Sequence, residues 1–369
     1  MNRLTTPSAR TPPPSAGTPP ASARTPPASP QTPGASLKAP PRAQPAAIDV
    51  HQHIWPPQLV QALRERREPP RLRGWTLELA GEPAQSIDPA LHDPEQRAAQ
   101  NAADGIGLAL VSLSSPLGIE LLEPGAAAEP LAAWREGALR LGEGFLPWAS
   151  ASLRAPDPDA LERDLAGGFV GLQLPACALL TTGDWRQASP LLEALERSGR
   201  PLFIHPGPAP ASCASQPAWW PALVDYVAQM HAAYFAWRAH GRPAHPRLRV
   251  LFALLAGLAP LHGERVAARG PAGERGVVDP AVFLECSSYG TRAIDATVRV
   301  LGIDQIVLGS DRPYAAAPEP RLGEAAHAAI RHANPIRLLG SEVIERCMTK
   351  TASAKAANAL SGATFQSVT

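Results

Sequence analysis

Ile48-Asp49-Val50-His51-Gln52-His53, the first apolar run of the chain, ends in two histidines spaced two residues apart. Side chains on a strand alternate faces, so His51 and His53 point the same way. Two imidazoles on one face can share a metal ion. Taken alone, the pair also fits ordinary core or surface histidines. The run continues into Ile54-Trp55 without a glycine. A doubly wound sheet that cradles a dinucleotide needs a Gly-rich loop after its first strand, so this stretch argues against a nucleotide-binding sheet.

Seven more apolar runs follow: LALVSL (108–113), FLPWASASL (145–153), FVGLQL (169–174), PLFIH (201–205), LRVLFALL (248–255), VFLEC (282–286) and QIVLG (305–309). Between them lie helical patterns at 94–107, 130–144, 159–167, 187–199, 221–241 and 292–302. Strands alternating with helices build parallel βα units. Eight such units predict a (β/α)₈ TIM-type barrel over residues 47–340. Residues 54–94 exceed what a crossover needs and read as a long excursion over the barrel mouth. Residues 1–46 repeat Thr-Pro-Pro and Ala-Ser units and read as a disordered Pro-rich arm. Residues 341–369 turn small and polar, as a terminal helix with a frayed tail.

Composition narrows the function. The 369 residues are 45% hydrophobic and 18% charged, with a net charge of +1. The charge gives no reason to expect nucleic acid or an anionic membrane as partner. Residues 1–48 hold five basic groups (Arg3, Arg10, Arg24, Lys38, Arg42) and no acid. Subtracting these from the 34 basic residues leaves 29 against 33 acidic ones. No run is long enough for a transmembrane helix, no apolar leader precedes the arm, and the four cysteines form no CxxC. A cytoplasmic enzyme of a small-molecule substrate is the expectation. Lysine occurs only at Lys38, Lys350 and Lys355, so Schiff-base, pyridoxal-phosphate and P-loop chemistry have no lysine within 39–349. The aromatic-rich stretch from Trp219 to Trp237 suits the core or a contact between subunits of a homo-oligomer.

Barrel active sites form at the C-terminal ends of strands. Strand one ends at His51 and His53, strand five at His205, and strand eight at Asp311. Three imidazoles and a carboxylate make an N₃O set for one divalent metal. An ion there can activate water for attack on a C–N or C–O bond, with Asp311 as base. Asp49 falls on the opposite face and reads as structural. Arg312 could pair with a substrate carboxylate, and Trp55 could line the pocket. A surface or interface role fits Arg312 equally well, and a packing role fits Trp55 better.

IDVHQH, PLFIHPGP and IVLGSDRPYAAAPEP, joined by GFVGLQLPA (168–176), VFLECSSYG (282–290) and NPIRLLG (334–340), resemble the amidohydrolase superfamily. Within it they resemble the amidohydrolase-related group that includes aminocarboxymuconate-semialdehyde decarboxylase. The resemblance spans residues 47–340. It implies a barrel with a mononuclear site, commonly zinc, and maps metal ligation onto His51, His53, His205 and Asp311. Gln173 stands in the region where binuclear relatives place a carbamylated lysine, so one ion is implied, with Gln173 left to the substrate. The chain departs from the group at strand six: Leu254 stands where relatives carry a histidine that serves as acid, base or carbonyl polariser. His262 is a nearby candidate replacement. The expected function is therefore a metal-dependent hydrolase. Non-oxidative decarboxylation is the alternative, and a barrel that keeps its metal site without turnover is a further one.

Overall fold

The protein is seen here as a computed structural model that describes residues 46–80, 83–210, 216–270 and 278–349. The Pro-rich arm, apart from Ala46, and residues 350–369 of the tail lie outside the described residues. Eleven strands occur in it: β1 (Ala47–Gln52), β2 (Arg71–Arg73), β3 (Thr76–Glu78), β4 (Gln85–Ser86), β5 (Ile106–Val111), β6 (Phe145–Pro147), β7 (Leu172–Pro175), β8 (Leu202–His205), β9 (Val250–Phe252), β10 (Val282–Glu285) and β11 (Ile306–Val307).

Each of the eight apolar runs supplies one parallel strand. They form a three-stranded sheet, β1-β5-β6, and a five-stranded sheet, β11-β10-β9-β8-β7. Parallel bridges pair Ala149 with Leu172 and Gln52 with Arg312 at the edges of the two sheets. Val50 N–H donates to Leu308 C=O at 2.9 Å beside the second bridge. Every residue of β1, β7, β8 and β10 is buried. Burial on both faces is why these strands read as continuous apolar runs rather than alternating ones.

The helices are α1 (Pro57–Glu65), α2 (Pro94–Ala103), α3 (Pro124–Ala138), α4 (Pro158–Gly167), α5 (Thr182–Ser198), α6 (Tyr226–Ala236), α7 (Arg242–Ala244), α8 (Gly263–Arg269), α9 (Thr291–Leu301), α10 (Glu324–Ala328) and α11 (Asn334–Leu339). Their starts are written locally. Asp93 and Asp157 accept from first-turn N–H groups of α2 and α4, each followed by proline at the first helical position. Thr181 and Asp184 form a reciprocal capping box on α5. Residues 341–349 are helical, as the tail's start was expected to be.

The excursion after strand one holds α1, with Leu59, Val60 and Leu63 buried, and the antiparallel sheet β2-β3-β4. The helix sits beside α3, where a side chain at Gly137 would meet Pro56 at 2.6 Å. The run 248–255 does not stay extended, because β9 stops at Phe252 and the backbone turns left-handed at Leu254. The stretch from Trp219 to Trp237 splits, with Met230 and Trp237 buried and Trp219 and Leu223 exposed. No helix among the described residues is long and apolar enough to cross a membrane.

Candidate metal centre

β1 carries His51 to its end and His53 just beyond it, β8 ends on His205, and Asp311 follows β11. All three imidazoles are at most 5% exposed. The structure brings the four residues together: one potential ligand atom from each lies within 4.8 Å of the other three. His51 Nε2 stands 3.0 Å from His53 Nε2. Asp311 Oδ1 lies 3.4 Å from the first and 3.2 Å from the second. The His205 ring is edge-on to both, with centroids 4.8 Å from His51 and 5.1 Å from His53.

The outer nitrogens explain the inward aim. His53 Nδ1 faces the Ser112 carbonyl at 3.0 Å, and His205 Nδ1 faces the Pro206 carbonyl at 2.8 Å. A carbonyl only accepts, so each Nδ1 carries the proton and each Nε2 keeps its lone pair. His51 Nδ1 faces Glu285 Oε1 at 3.3 Å. That carboxylate also accepts from Leu254 N–H at 2.7 Å, Ser287 Oγ at 2.8 Å and Ser287 N–H at 2.6 Å. Two Nε2 lone pairs 3.0 Å apart repel unless a cation lies between them. Nitrogens bound cis to a metal at about 2.0–2.1 Å are themselves about 3 Å apart. The donor set therefore fits one divalent ion.

Electrostatics points the same way. Burial pushes the His53 pKa down, against the pull of Asp311, and it drives His205 well below the ordinary imidazole value. Burial also opposes charge on His51, but Asp311 and Glu285 outweigh it and raise its pKa. Asp311 adopts φ 58°, a left-handed conformation that aspartate tolerates better than most residues. Its N–H donates to His51 C=O at 2.8 Å, which fixes the carboxylate over β1.

Asp49 accepts from His51 N–H, Gln52 Nε2 and Ser310 N–H, tying β1 to the strand-eight turn. Burial raises its pKa against those hydrogen bonds. The three residues considered for substrate have other engagements. Trp55 is buried, donates its indole N–H to Ser114 Oγ at 2.9 Å, and stacks on His92 at 4.5 Å. It lines a groove of ≈ 1110 Å³ with Pro57, Trp75 and His92, none of which belongs to the metal cluster. Gln173 is buried and donates to Leu113 C=O and Ser115 Oγ. Arg312 is 4% exposed, and its guanidinium binds Asn101 and Asp104, so it offers no free fork to a carboxylate. His262 does not replace the strand-six histidine. It ends the segment Leu254–His262 and stands edge-on to His231, in a cavity separate from the ligands.

Sequence reasoning passed over Glu285, although a carboxylate closing the apolar strand VFLE was a visible signal. It also gave no weight to Gly309, whose absent side chain makes room for Glu285: a Cβ there would stand 2.2 Å from Glu285 Oε2. Tyr314 was another omission, an exposed ring 5.6 Å from the His53 ring.

No protein-family model and no curated protein matches the chain. Solved structures do. IDCase from Metarhizium anisopliae superposes with a TM-score of 0.67 at 17% identity, covering 82% of this chain and 99% of its own. The 5-carboxyvanillate decarboxylase of Sphingomonas paucimobilis gives 0.61 at 17% identity, over 80% and 99%. That of Novosphingobium aromaticivorans, in complex with manganese and a nitrobenzoic acid, gives 0.57 at 16%, over 80% and 96%. Chains named as amidohydrolases match as well. The structural neighbours are thus decarboxylases and amidohydrolases, in keeping with the resemblance read from the motifs, and the fold of this chain is theirs.

Proposed function

We propose that the chain is a divalent-metal enzyme of the amidohydrolase type, with residues 47–340 forming a (β/α)₈ catalytic barrel, and that it releases CO₂ from a small organic acid without oxidation. The convergence of His51, His53, His205 and Asp311 within 4.8 Å carries this reading. The decarboxylases among its neighbours, one with manganese bound, support the choice of reaction. By ligand preference zinc suits the imidazole-rich set better than manganese, whereas a neighbour holds manganese.

A divalent ion held there supplies a Lewis acid that polarises a substrate oxygen and steadies developing negative charge. The chain's own residues do the rest. Ser112, Pro206 and Glu285 hold the three rings by Nδ1, so the Nε2 atoms need no reorganisation. Loss of CO₂ leaves an electron pair on carbon, which must take up one proton. Asp311, with its side chain 17% exposed, stands at the rim, and its second oxygen has no partner among the described residues. It is the residue placed to carry that proton.

Leu254 favours a second reading, hydrolysis. It puts no titratable group at the end of strand six, whereas a hydrolase can work with Asp311 alone as its base. Product analysis separates the two. Full-length protein, loaded with zinc or manganese, is incubated with ¹³C-carboxyl-labelled aromatic acids, 5-carboxyvanillate included, and with amides and esters of the same acids. Metal-dependent labelled CO₂ supports the proposal. Hydrolysis without CO₂ overturns it for the second reading, and no turnover by metal-loaded protein marks a scaffold that binds the ion without catalysis.

A further inference from the structure

A cavity of ≈ 340 Å³ lies apart from the metal ligands, between α6 and α8. His231 and Phe235 line it from α6. His262, Arg265 and Arg269 line it from the other side. Every titratable group in this lining is basic. The two imidazoles stand edge-on with centroids 4.9 Å apart. Neither Arg265 nor Arg269 has an ion-pair partner among the described residues. Other arginines of the chain do: Arg71 with Glu78, Arg135 with Asp164, Arg242 with Asp279 and Arg299 with Asp295. Two guanidinium charges flank one hollow whose lining holds no carboxylate, an arrangement that favours an anion.

We propose that this cavity binds a phosphoryl anion carried by a small phosphorylated molecule. Guanidinium matches the oxygens of phosphate in a planar fork, and two of them flank the hollow. The imidazoles bring further N–H donors to the same hollow, and a tetrahedral group with three free oxygens can accept from more donors than a flat carboxylate. Phe235 gives an apolar wall for the organic part. The volume lies at the lower end for small-molecule sites, about 300–1000 Å³. The position gives the site a route to the centre: His262 closes the segment that opens at Leu254, and Leu254 N–H holds Glu285, the partner of His51.

The test is a titration of the metal-loaded full chain with inorganic phosphate at constant ionic strength, read by the ¹⁵N and ¹H resonances of the His231 and His262 rings. Saturable shifts of both rings are expected, with affinity weakened about tenfold or more by Arg265→Ala and again by Arg269→Ala. Both arginines are exposed, so these variants leave the core untouched. Acetate in place of phosphate should bind more weakly. Three results contradict the proposal: no saturable shift, an affinity unchanged in the double variant, or acetate binding tighter than phosphate. Phosphate that binds only at the metal centre leaves both rings unshifted and counts against it too.

Discussion

The ends of β11 and β9 both turn left-handed, and only the first delivers a charged side chain. After β11, Asp311 takes φ 58° and delivers a carboxylate to two imidazoles. After β9, Leu254, Leu255, Ala256, Gly257 and Leu258 all take φ between 47° and 60°. Each non-glycine residue there costs roughly 1–2 kcal/mol, and none carries a titratable group. What the second turn contributes is a backbone donor, Leu254 N–H to Glu285 Oε1. The two ends also meet through that carboxylate, since Gly309, two residues before Asp311, leaves the space Glu285 fills. A strand end can therefore serve a metal centre either by a ligand or by holding the group that orients one.

The comparison is broken at the metal ligands themselves by a change at Gly309. Gly309→Ala would put a Cβ into Glu285 from backbone that cannot swing away, and His51 loses its anchor. We expect metal affinity to fall roughly 10–100-fold, as measured by competition with a chromophoric chelator. An unchanged affinity would show that Glu285 does not orient the ligand. At the other end, a Cβ on Gly257 would meet Val227 C=O at 2.4 Å and His231 N at 3.1 Å, with φ at 59°. Gly257→Ala should cost about 3–4 kcal/mol in urea unfolding. A variant as stable as the parent would mean the turn relaxes freely.

A third carboxyl sharpens the contrast. Glu285 is saturated with donors, whereas Glu120 is fully buried with Oε2 lacking a partner among the described residues. Gln173 Oε1 and Ser150 Oγ are orphaned in the same way. Burial outweighs the hydrogen bond from Ser115 and pushes Glu120 up from 4.5 to about 7. The folded state thus holds this proton more tightly than the unfolded one. Its contribution is complete below pH 4.5 and is lost as pH rises to about 7. The loss is about 3 kcal/mol in all. Glu120→Gln should flatten that slope in unfolding curves taken across the same window. A slope identical to the parent's would place the proton elsewhere. The smallest effect is expected at Ala256, buried at φ 53°. Ala256→Gly removes left-handed strain and should stabilise by about 1 kcal/mol, whereas destabilisation would mean that the methyl's packing outweighs the strain.

The same contrast marks what could be read from the sequence. His51, His53, His205 and Asp311 were legible because each closes an apolar run, and parallel strands bring such ends to one rim. The eight strands were legible for the same reason: burial on both faces leaves unbroken apolar stretches. The turn after β9 was not, because Leu-Leu-Ala carries no signal for positive φ. Tertiary partners, Glu285 and Val227, impose it. The side-chain partners of Gln173 and Arg312 were hidden too. Nothing near them in sequence tells a guanidinium that its carboxylate, Asp104, comes from the end of another helix. The helix α1 was visible in PQLVQALRE and was lost to the prolines around it.

The most direct test of the account is elemental analysis of the purified full-length protein beside His51→Ala and His205→Ala. We expect near-stoichiometric zinc or manganese in the parent and almost none in either variant, with all three folded by circular dichroism. A parent that takes up neither ion, or a variant that keeps its full complement, would contradict the claim that these imidazoles and Asp311 hold a single divalent metal.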